Sequence, residues 1–326
     1  MTKNDDQRYG FELVENWGDS ADGWSFVEVA DVCVDLRDNV FALGRGESAV
    51  QVFSPSGERT ARWGQGRFIR SHSIELSPDA SALFCIDCDG HTVTKFTLDG
   101  EPIFTIDSEA EPGYTGYVKD IVSSVQRAGP PFCYPTSISF GPDGDLFVTD
   151  GYGNARVHQF DSGGSLKSSW GEPGNGAGQF RLPHGILVDE EVLFVADREN
   201  DRVQVFNLAG EVVGQWNDCY RPAALCKDKI SGAIFLAELG RILQSDGSSR
   251  ELDFTKPAGR VTVRNSSGQI LSEISSDGAP ARDDYFAPHG IAIDSSGNLY
   301  VAEVSVTYFQ GAAPPDHVKL RKLRRL

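Results

Sequence analysis

The stretch GQFRLPHGILVDEEVLFVADRENDRVQVFNLAG, residues 178–210, decides the fold. Phe180 to Val188 is an apolar run that passes through Leu182-Pro183-His184-Gly185. An acidic turn at Asp189-Glu190 separates it from Val192–Ala196, and Asp197-Arg198-Glu199-Asn200 leads into Arg202–Phe206. Asn207 to Gly210 turns the chain once more, and Glu211–Trp216 closes the unit. Short β-branched and aromatic runs bounded by Asp, Asn and Gly read as four strands rather than as helix.

The unit recurs along the chain. Pro135-Thr136-Ser137-Ile138 leads through Gly141-Pro142-Asp143-Gly144 to LFVTD and GYGNARVHQF; Ser71-His72-Ser73-Ile74 leads to ALFCID and HTVTKFTLDG. Val29-Ala30-Asp31-Val32 precedes NVFALGRGESAVQVFSPSG, and Pro288-His289-Gly290-Ile291 precedes NLYVAE. A weaker copy starts at Pro222-Ala223-Ala224 and continues as GAIFLAE. About six copies with a period of about 40–50 residues are the spacing of propeller blades. One such unit leaves a sheet face exposed, so the copies must pack radially around a channel. The expectation is an all-β, six-bladed β-propeller forming one domain over residues 1–326.

Both ends of the chain fit that ring. Phe11–Trp17 followed by Gly18 resembles the fourth strand of other copies, which end in Trp63-Gly64 and Trp170-Gly171. The C-terminal DHVKLRKLRRL resembles a third strand such as DRVQVF. The expected closure pairs the N- and C-terminal strands in the last blade, which removes free sheet edges. The basic tail is read as a solvated strand face. The formal net charge of -17 argues against nucleic acid and acidic membrane as partners. Glu109 to Pro131 is a long insertion between copies, Asp246 to Arg282 carries less regular strands, and Gln310 to Pro315 is a Gly/Ala/Pro turn. Such loops commonly shape the mouth of a propeller channel.

The residue after the proline slot carries the chemistry. In chain order it is Ala30, His72, Thr136, His184, Ala223 and His289, so small residues alternate with histidines. The slot lies near the start of the strand that lines the channel. Alternate blades are about a third of a turn apart, so three imidazoles are expected to converge on the axis. The small residues leave them room. Three His with an open fourth position is the ligand set of a catalytic zinc. His91, His158 and His317 lie outside this register and are read as structural. Arg45, Tyr152 and Arg198 follow the second strand of three copies, at what reads as one equivalent turn. Arginines there can grip a carboxylate by paired hydrogen bonds. Tyr152 can work as acid or base beside them. Each also has a structural reading: Arg198 paired with Asp197 or Glu199, Tyr152 covering a turn, Arg45 in a glycine turn.

Six cysteines, at 33, 85, 88, 133, 219 and 226, sit in or beside predicted strands without secretory spacing. Cys85 and Cys88 are three apart on a strand and face opposite ways, which speaks against a metal or redox pair. Cys219 and Cys226 flank a loop and can approach one another, but free thiols are expected in a reducing compartment. MTKNDDQRYG has no apolar signal core, and the sequence shows no membrane-spanning run, which leads to the expectation of a cytoplasmic protein.

The repeats resemble NHL repeats. More specifically, FCYPTSISFGPDGDLFVTDGYGNARVHQF, WGEPGNGAGQFRLPHGILV and VADRENDRVQVF resemble peptidyl-α-hydroxyglycine α-amidating lyases, densely from about Phe132 to Phe206 and more thinly over Asn39–Gly100 and Phe286–Glu303. The resemblance implies zinc held by His72, His184 and His289, a catalytic tyrosine at Tyr152, and active-site arginines at Arg45 and Arg198. It implies cleavage of the N–C bond of an α-hydroxyglycine to an amide and glyoxylate. Two family features are altered. The family pairs a cysteine at the position of Cys133 with one where Gly153 stands. Its structural calcium uses an Asp where Gly290 stands, so calcium is not expected here. No copper monooxygenase half is present to supply a peptide substrate, so a small N-acyl or N-carbamoyl α-hydroxyglycine, a carboxylated small molecule, is expected. Two other readings share the architecture: a zinc hydrolase of a small ester or lactone, and a protein-binding NHL scaffold without chemistry.

Overall fold

The computed structural model describes residues 9–18, 26–46, 49–109, 111, 113–240, 259–275, 285, 287–309 and 317–326. Six four-stranded antiparallel sheets form the blades, with a two-stranded parallel pair, Glu172–Pro173 and Gln179–Phe180, beside the third and fourth. The innermost strands are Glu28–Val34, Ser71–Leu76, Pro135–Phe140, Pro183–Asp189, Pro222–Lys227 and Pro288–Ile293, in blades one to six. The fifth blade takes its outer strands from Arg260–Arg264 and Ile270–Ser275, inside the segment read as irregular. The turn at 310–315 lies outside the described residues. No helix among the described residues is long and apolar enough to cross a membrane.

Every adjacent pair of blades shares a core. Phe41, Leu43 and Val50 of the first blade pack against Ile74, Leu83, Cys85 and Phe96 of the second. Cys88 belongs to the next core, with Phe132 and Val148. Cys85 and Cys88 therefore lie on opposite sides of one blade, and the described cysteines, Cys219 and Cys226 included, are free thiols. The Trp-Gly pattern has a packing cause. The tryptophan ending one blade covers the hairpin glycine of the next: a Cβ on Gly210 (φ 83°) would lie 2.7 Å from the Trp170 ring, and one on Gly100 (φ 89°) 2.4 Å from Trp63. Only glycine accepts both that backbone conformation and that contact.

The ring closes as the ends of the sequence suggest. Phe11–Leu13 is the outer strand of the sixth blade, in register with Leu323–Arg325. Trp17 continues the closure, 5.5 Å from Phe53 of the first blade and 5.1 Å from Tyr300 of the sixth. The basic tail departs from the expected solvated face. Arg321 is buried and ion-pairs with Glu303, while Arg325 reaches Asp228 at 2.7 Å. An outward strand face would have left these charges in water; here the strand lies between neighbours that supply carboxylates.

The N-terminal strand should contribute directly to stability. Phe11 meets Phe235 edge-on at 5.8 Å and is half-buried. Phe11→Ala is expected to lower unfolding stability by about 1–2 kcal/mol in urea titration. Glu12→Ala, at an exposed ion pair with Arg324, should leave the midpoint nearly unchanged.

Candidate metal centre and active site

A β-bulge sits at the start of every innermost strand, and it falls on the slot residue. The pairing register shifts across Val29/Asp31, Ser71/Ser73, Pro135/Ser137, Pro183/Ile186, Pro222/Ala224 and Pro288/Gly290. A bulged residue leaves the ladder and re-aims its side chain. Proline suits the position before it in four of the six blades, because it has no N–H to lose there. The bulges turn His72, His184 and His289 into the channel.

The three rings form a nearly equilateral triangle, with centroids 4.9, 4.8 and 4.7 Å apart. All three are buried, and their potential ligand atoms lie within 4.8 Å of one another. The alternation of small residues turns out to be more than room. His72 Nδ1 bonds the carbonyl oxygen of Thr136 at 2.6 Å, His184 Nδ1 that of Ala223 at 2.8 Å, and His289 Nδ1 that of Ala30 at 2.6 Å. A carbonyl only accepts, so each Nδ1 carries the proton and each Nε2 presents a lone pair. Burial depresses the imidazole pKa of all three, with the neighbouring histidines adding to it for His72 and His184 and the Arg45 charge for His289; His289 falls to about 3. The rings are neutral near pH 7, the form a cation needs.

Tyr152 sits against this triangle. Its hydroxyl lies 3.2 Å from His72 Nε2 and 3.4 Å from His184 Nε2, and accepts from Arg198 Nη1 at 3.3 Å. Three buried lone pairs with one hydroxyl hydrogen to share form an under-satisfied acceptor set, which a divalent cation with an affinity for imidazole satisfies. The donor chemistry fits a metal. It does not fit calcium in the manner the resemblance requires. A Cβ at Gly290 would lie 2.4 Å from Asp31 Oδ1, so no aspartate can stand there while Asp31 is in place. Asp31 is itself engaged by Ser73 Oγ at 2.8 Å and the Ile74 N–H at 3.1 Å.

Arg45, Tyr152 and Arg198 are brought to the same end of the channel, Arg45 and Arg198 at one equivalent position and Tyr152 one residue further along. The second strand of the other five blades ends in an acid, namely Asp87, Asp150, Asp197, Glu238 and Glu303. Each accepts from a backbone N–H just before the next innermost strand of its own sheet: Arg70 at 2.9 Å, Cys133 at 2.8 Å, Arg181 at 2.7 Å, Tyr220 at 2.5 Å and Ala287 at 3.0 Å. In the first blade Gly44, opposite Val29, occupies that acid's register position, and the strand runs one residue further to Arg45, opposite Glu28. Arg198 follows the acid by one residue and Tyr152 by two. Arg45 and Arg198 thus share one register position in their blades, just past the second strand's acid position. Glu28 ion-pairs with Arg45, and Thr307 of the short helix Ser305–Phe309 donates to Glu28.

The other histidines are structural. His158 bonds Ser169 Oγ at 2.7 Å and Asp150 at 3.3 Å, His317 reaches Glu303 at 3.1 Å, and His91 Nδ1 accepts the Tyr134 N–H at 3.1 Å. Arg202 pairs with Asp197 at 2.7 Å. Cys133 has no bridge: Gly153 is the residue beside it, and a Cβ there would lie 2.5 Å from its sulfur. The insertion faces the histidine end, since Lys119 reaches Asp89 at 3.1 Å and Tyr117 stacks on Tyr134 at 5.2 Å. Sequence reading missed Arg70, whose guanidinium lies 5.1 Å from the Tyr152 ring centre, and the Glu199–Arg221 pair at 2.6 Å. The slot alignment held a signal for both arginines, because each stands two residues before its slot.

Residues 132–160 match the NHL repeat family model. Over 268 residues the chain is 29% identical to peptidyl-glycine alpha-amidating monooxygenase B of Xenopus laevis, covering 79% of this chain and 28% of that protein. It is 29% identical over 282 residues to peptidyl-alpha-hydroxyglycine alpha-amidating lyase 1 of Drosophila melanogaster, covering 79% of this chain and 47% of that one. The chain thus spans less than half the length of either relative. A streptogramin B lyase structure superposes with a TM-score of 0.56 at 16% identity over 99% of this chain and 95% of that one, a likeness of fold. The chain is a six-bladed propeller with an NHL-repeat match over residues 132–160, and it is similar to the amidating lyases.

His184→Ala is expected to abolish metal binding in elemental analysis while the circular dichroism of the sheets stays unchanged; parental metal content in the variant would count against the centre. Acid should act through the same rings. Their folded pKa values lie below the ordinary 6.5, so unfolding takes up protons, and the stability of metal-free protein should fall as pH drops from about 6.5 towards about 3. Urea midpoints measured across that range check the slope, which His289→Gln should reduce.

Proposed function

We propose that this protein is a zinc-dependent carbon–nitrogen lyase. It cleaves the N–C bond of a small α-hydroxyglycine-type substrate, a carboxylated hemiaminal, to an amide and glyoxylate. The observation that carries the reading is the Tyr152 hydroxyl resting on the Nε2 atoms of His72 and His184 with a guanidinium at its other side. The amidating-lyase names of the similar proteins support the same chemistry.

His72, His184 and His289 would hold the zinc, whose Lewis acidity would make a nearby substrate hydroxyl a better proton donor. The chain's own groups do the rest. Tyr152, as its phenolate, takes the proton of the substrate hydroxyl. The guanidiniums of Arg70 and Arg198, 5.1 and 5.3 Å from its ring centre, supply the positive charge that a phenolate needs. The oxygen electrons form the new C=O bond, and the C–N pair leaves with nitrogen. Tyr152 returns the proton to that nitrogen, so the products are a neutral amide and glyoxylate and the tyrosine is regenerated. Arg45 and Arg198 hold the substrate carboxylate, which keeps the breaking bond beside Tyr152. Glu28 fixes Arg45, and Glu199 fixes Arg198 at 2.9 Å, so neither cation must reorganise as the reaction proceeds.

The test is glyoxylate release from α-hydroxyhippurate by zinc-loaded protein. Tyr152→Phe should retain about one zinc per chain and lose turnover by about 100-fold or more. Zinc-loaded parent that releases no glyoxylate yet hydrolyses esters would replace this reading with hydrolysis.

A further inference from the structure

We infer that Arg70 is a specificity-determining residue of this centre, joining Arg45 and Arg198 as the cation whose donors are left open for the substrate's carboxylate. The inference deepens the lyase reading and rests on it for the identity of the substrate. It begins with an inequality among the cations at the mouth. Arg45 is spent on protein: it bonds Glu28, Thr307 Oγ1 at 2.8 Å and the Ser71 carbonyl oxygen at 3.4 Å. Arg198 is divided between Glu199 at 2.9 Å and Tyr152 at 3.3 Å. Arg70 has an ion pair to Asp89 at 3.5 Å, and that Asp89 oxygen has no hydrogen-bond partner. The other Asp89 oxygen serves Lys119. The Arg70 fork therefore keeps its donors for something else.

The charge balance points the same way. Among the described residues, the ion pairs at the mouth join five cations, Arg45, Arg70, Lys119, Arg198 and Arg221, to three carboxylates, Glu28, Asp89 and Glu199. A chain of formal net charge -17 thus gathers five cations beside its buried histidines. Such a focus draws an anion towards the channel and gives it a partner on arrival.

Space is present where those cations gather. Arg45 and Arg70 line one cavity of about 120 Å³ between the first and second blades, walled further by Phe68, Ile69, Gly46 and Gly64. The glycines withhold side chains there. The volume suits a carboxylate and little more, so an acyl group must extend outward instead. The Arg70 backbone is pinned, with its N–H donating to Asp87 at 2.9 Å and its carbonyl accepting from the Cys88 N–H at 2.9 Å. Its side chain remains a quarter exposed, open to an arriving ligand.

Hippurate carries the carboxylate and lacks the reacting hydroxyl, and hippuramide replaces that charge with a neutral amide. Calorimetric titration of zinc-loaded parent should show tighter binding of hippurate. In Arg70→Gln, hippurate affinity should fall by about 10-fold or more while hippuramide affinity and zinc content hold. Arg70→Lys should recover part of the loss, and KM for α-hydroxyhippurate should rise more than kcat falls. An unchanged hippurate preference in Arg70→Gln, or none in the parent, overturns the assignment. A parent that prefers hippurate yet releases no glyoxylate from α-hydroxyhippurate keeps the subsite and removes the lyase reading.

Discussion

The centre depends on three hydrogen bonds that cross between blades. Each histidine gives its Nδ1 proton to the carbonyl of the small residue in the following blade. Those carbonyls are available because they belong to bulged residues that have left the ladder. One device thus does two things: it points an imidazole inward in alternate blades and releases an acceptor in the blades between. Acceptor and ring are separated by 64, 39 and 259 residues along the chain, so the site forms only when the ring of blades closes. Closure is therefore part of the chemistry. The last of the three bonds joins the sixth blade to the first, across the same seam that the N-terminal strand and Trp17 secure.

Burial is what gives the arrangement its chemical value. Taking three imidazoles out of water disfavours their charged forms, and placing arginines nearby disfavours them further. The result is a neutral nitrogen set facing a cationic rim. The proposed substrate, a small carboxylated hemiaminal, would resolve both features at once, its carboxylate meeting the arginines and its hydroxyl the histidine end. The acids that end the second strands serve this geometry from a distance. By holding the backbone just before each innermost strand, Asp87, Asp150, Asp197, Glu238 and Glu303 set where each bulge begins. In the first blade Gly44 stands in that acid's place, and Arg45, one residue on, joins the rim as Arg198 does in the fourth.

The sequence disclosed what repetition can carry. Strand lengths, hairpin glycines and the Trp-Gly ends recur at a blade's spacing, so the propeller and its closing strand were legible at once. The alternation of histidine with Ala30, Thr136 and Ala223 was legible as a pattern, but its cause was not. Room for the rings could be argued from side-chain size; the backbone acceptors could not, because every residue has a carbonyl and only the bulge frees these. Arg45 and Arg198 read as equivalent because both follow a second strand, and the register agrees, while it sets Tyr152 one residue further along. The insertion's face and Arg70's reach towards Tyr152 are set by packing between blades, on which a single repeat is silent.

Arg70 shows why that silence matters for substrate choice. The features that identify the centre, the histidines and the tyrosine, are those that would perform the bond cleavage and would serve any hemiaminal. Discrimination needs an interaction that one substrate makes and another cannot. A cation already neutralised by a fixed carboxylate offers little of that, since an arriving anion must compete with its partner. A cation held in place yet only loosely paired offers more, because its donors are desolvated on binding and satisfied only by a charged acceptor. By that criterion selectivity in this channel resides at the edge of the second blade, two residues before the first of the histidines.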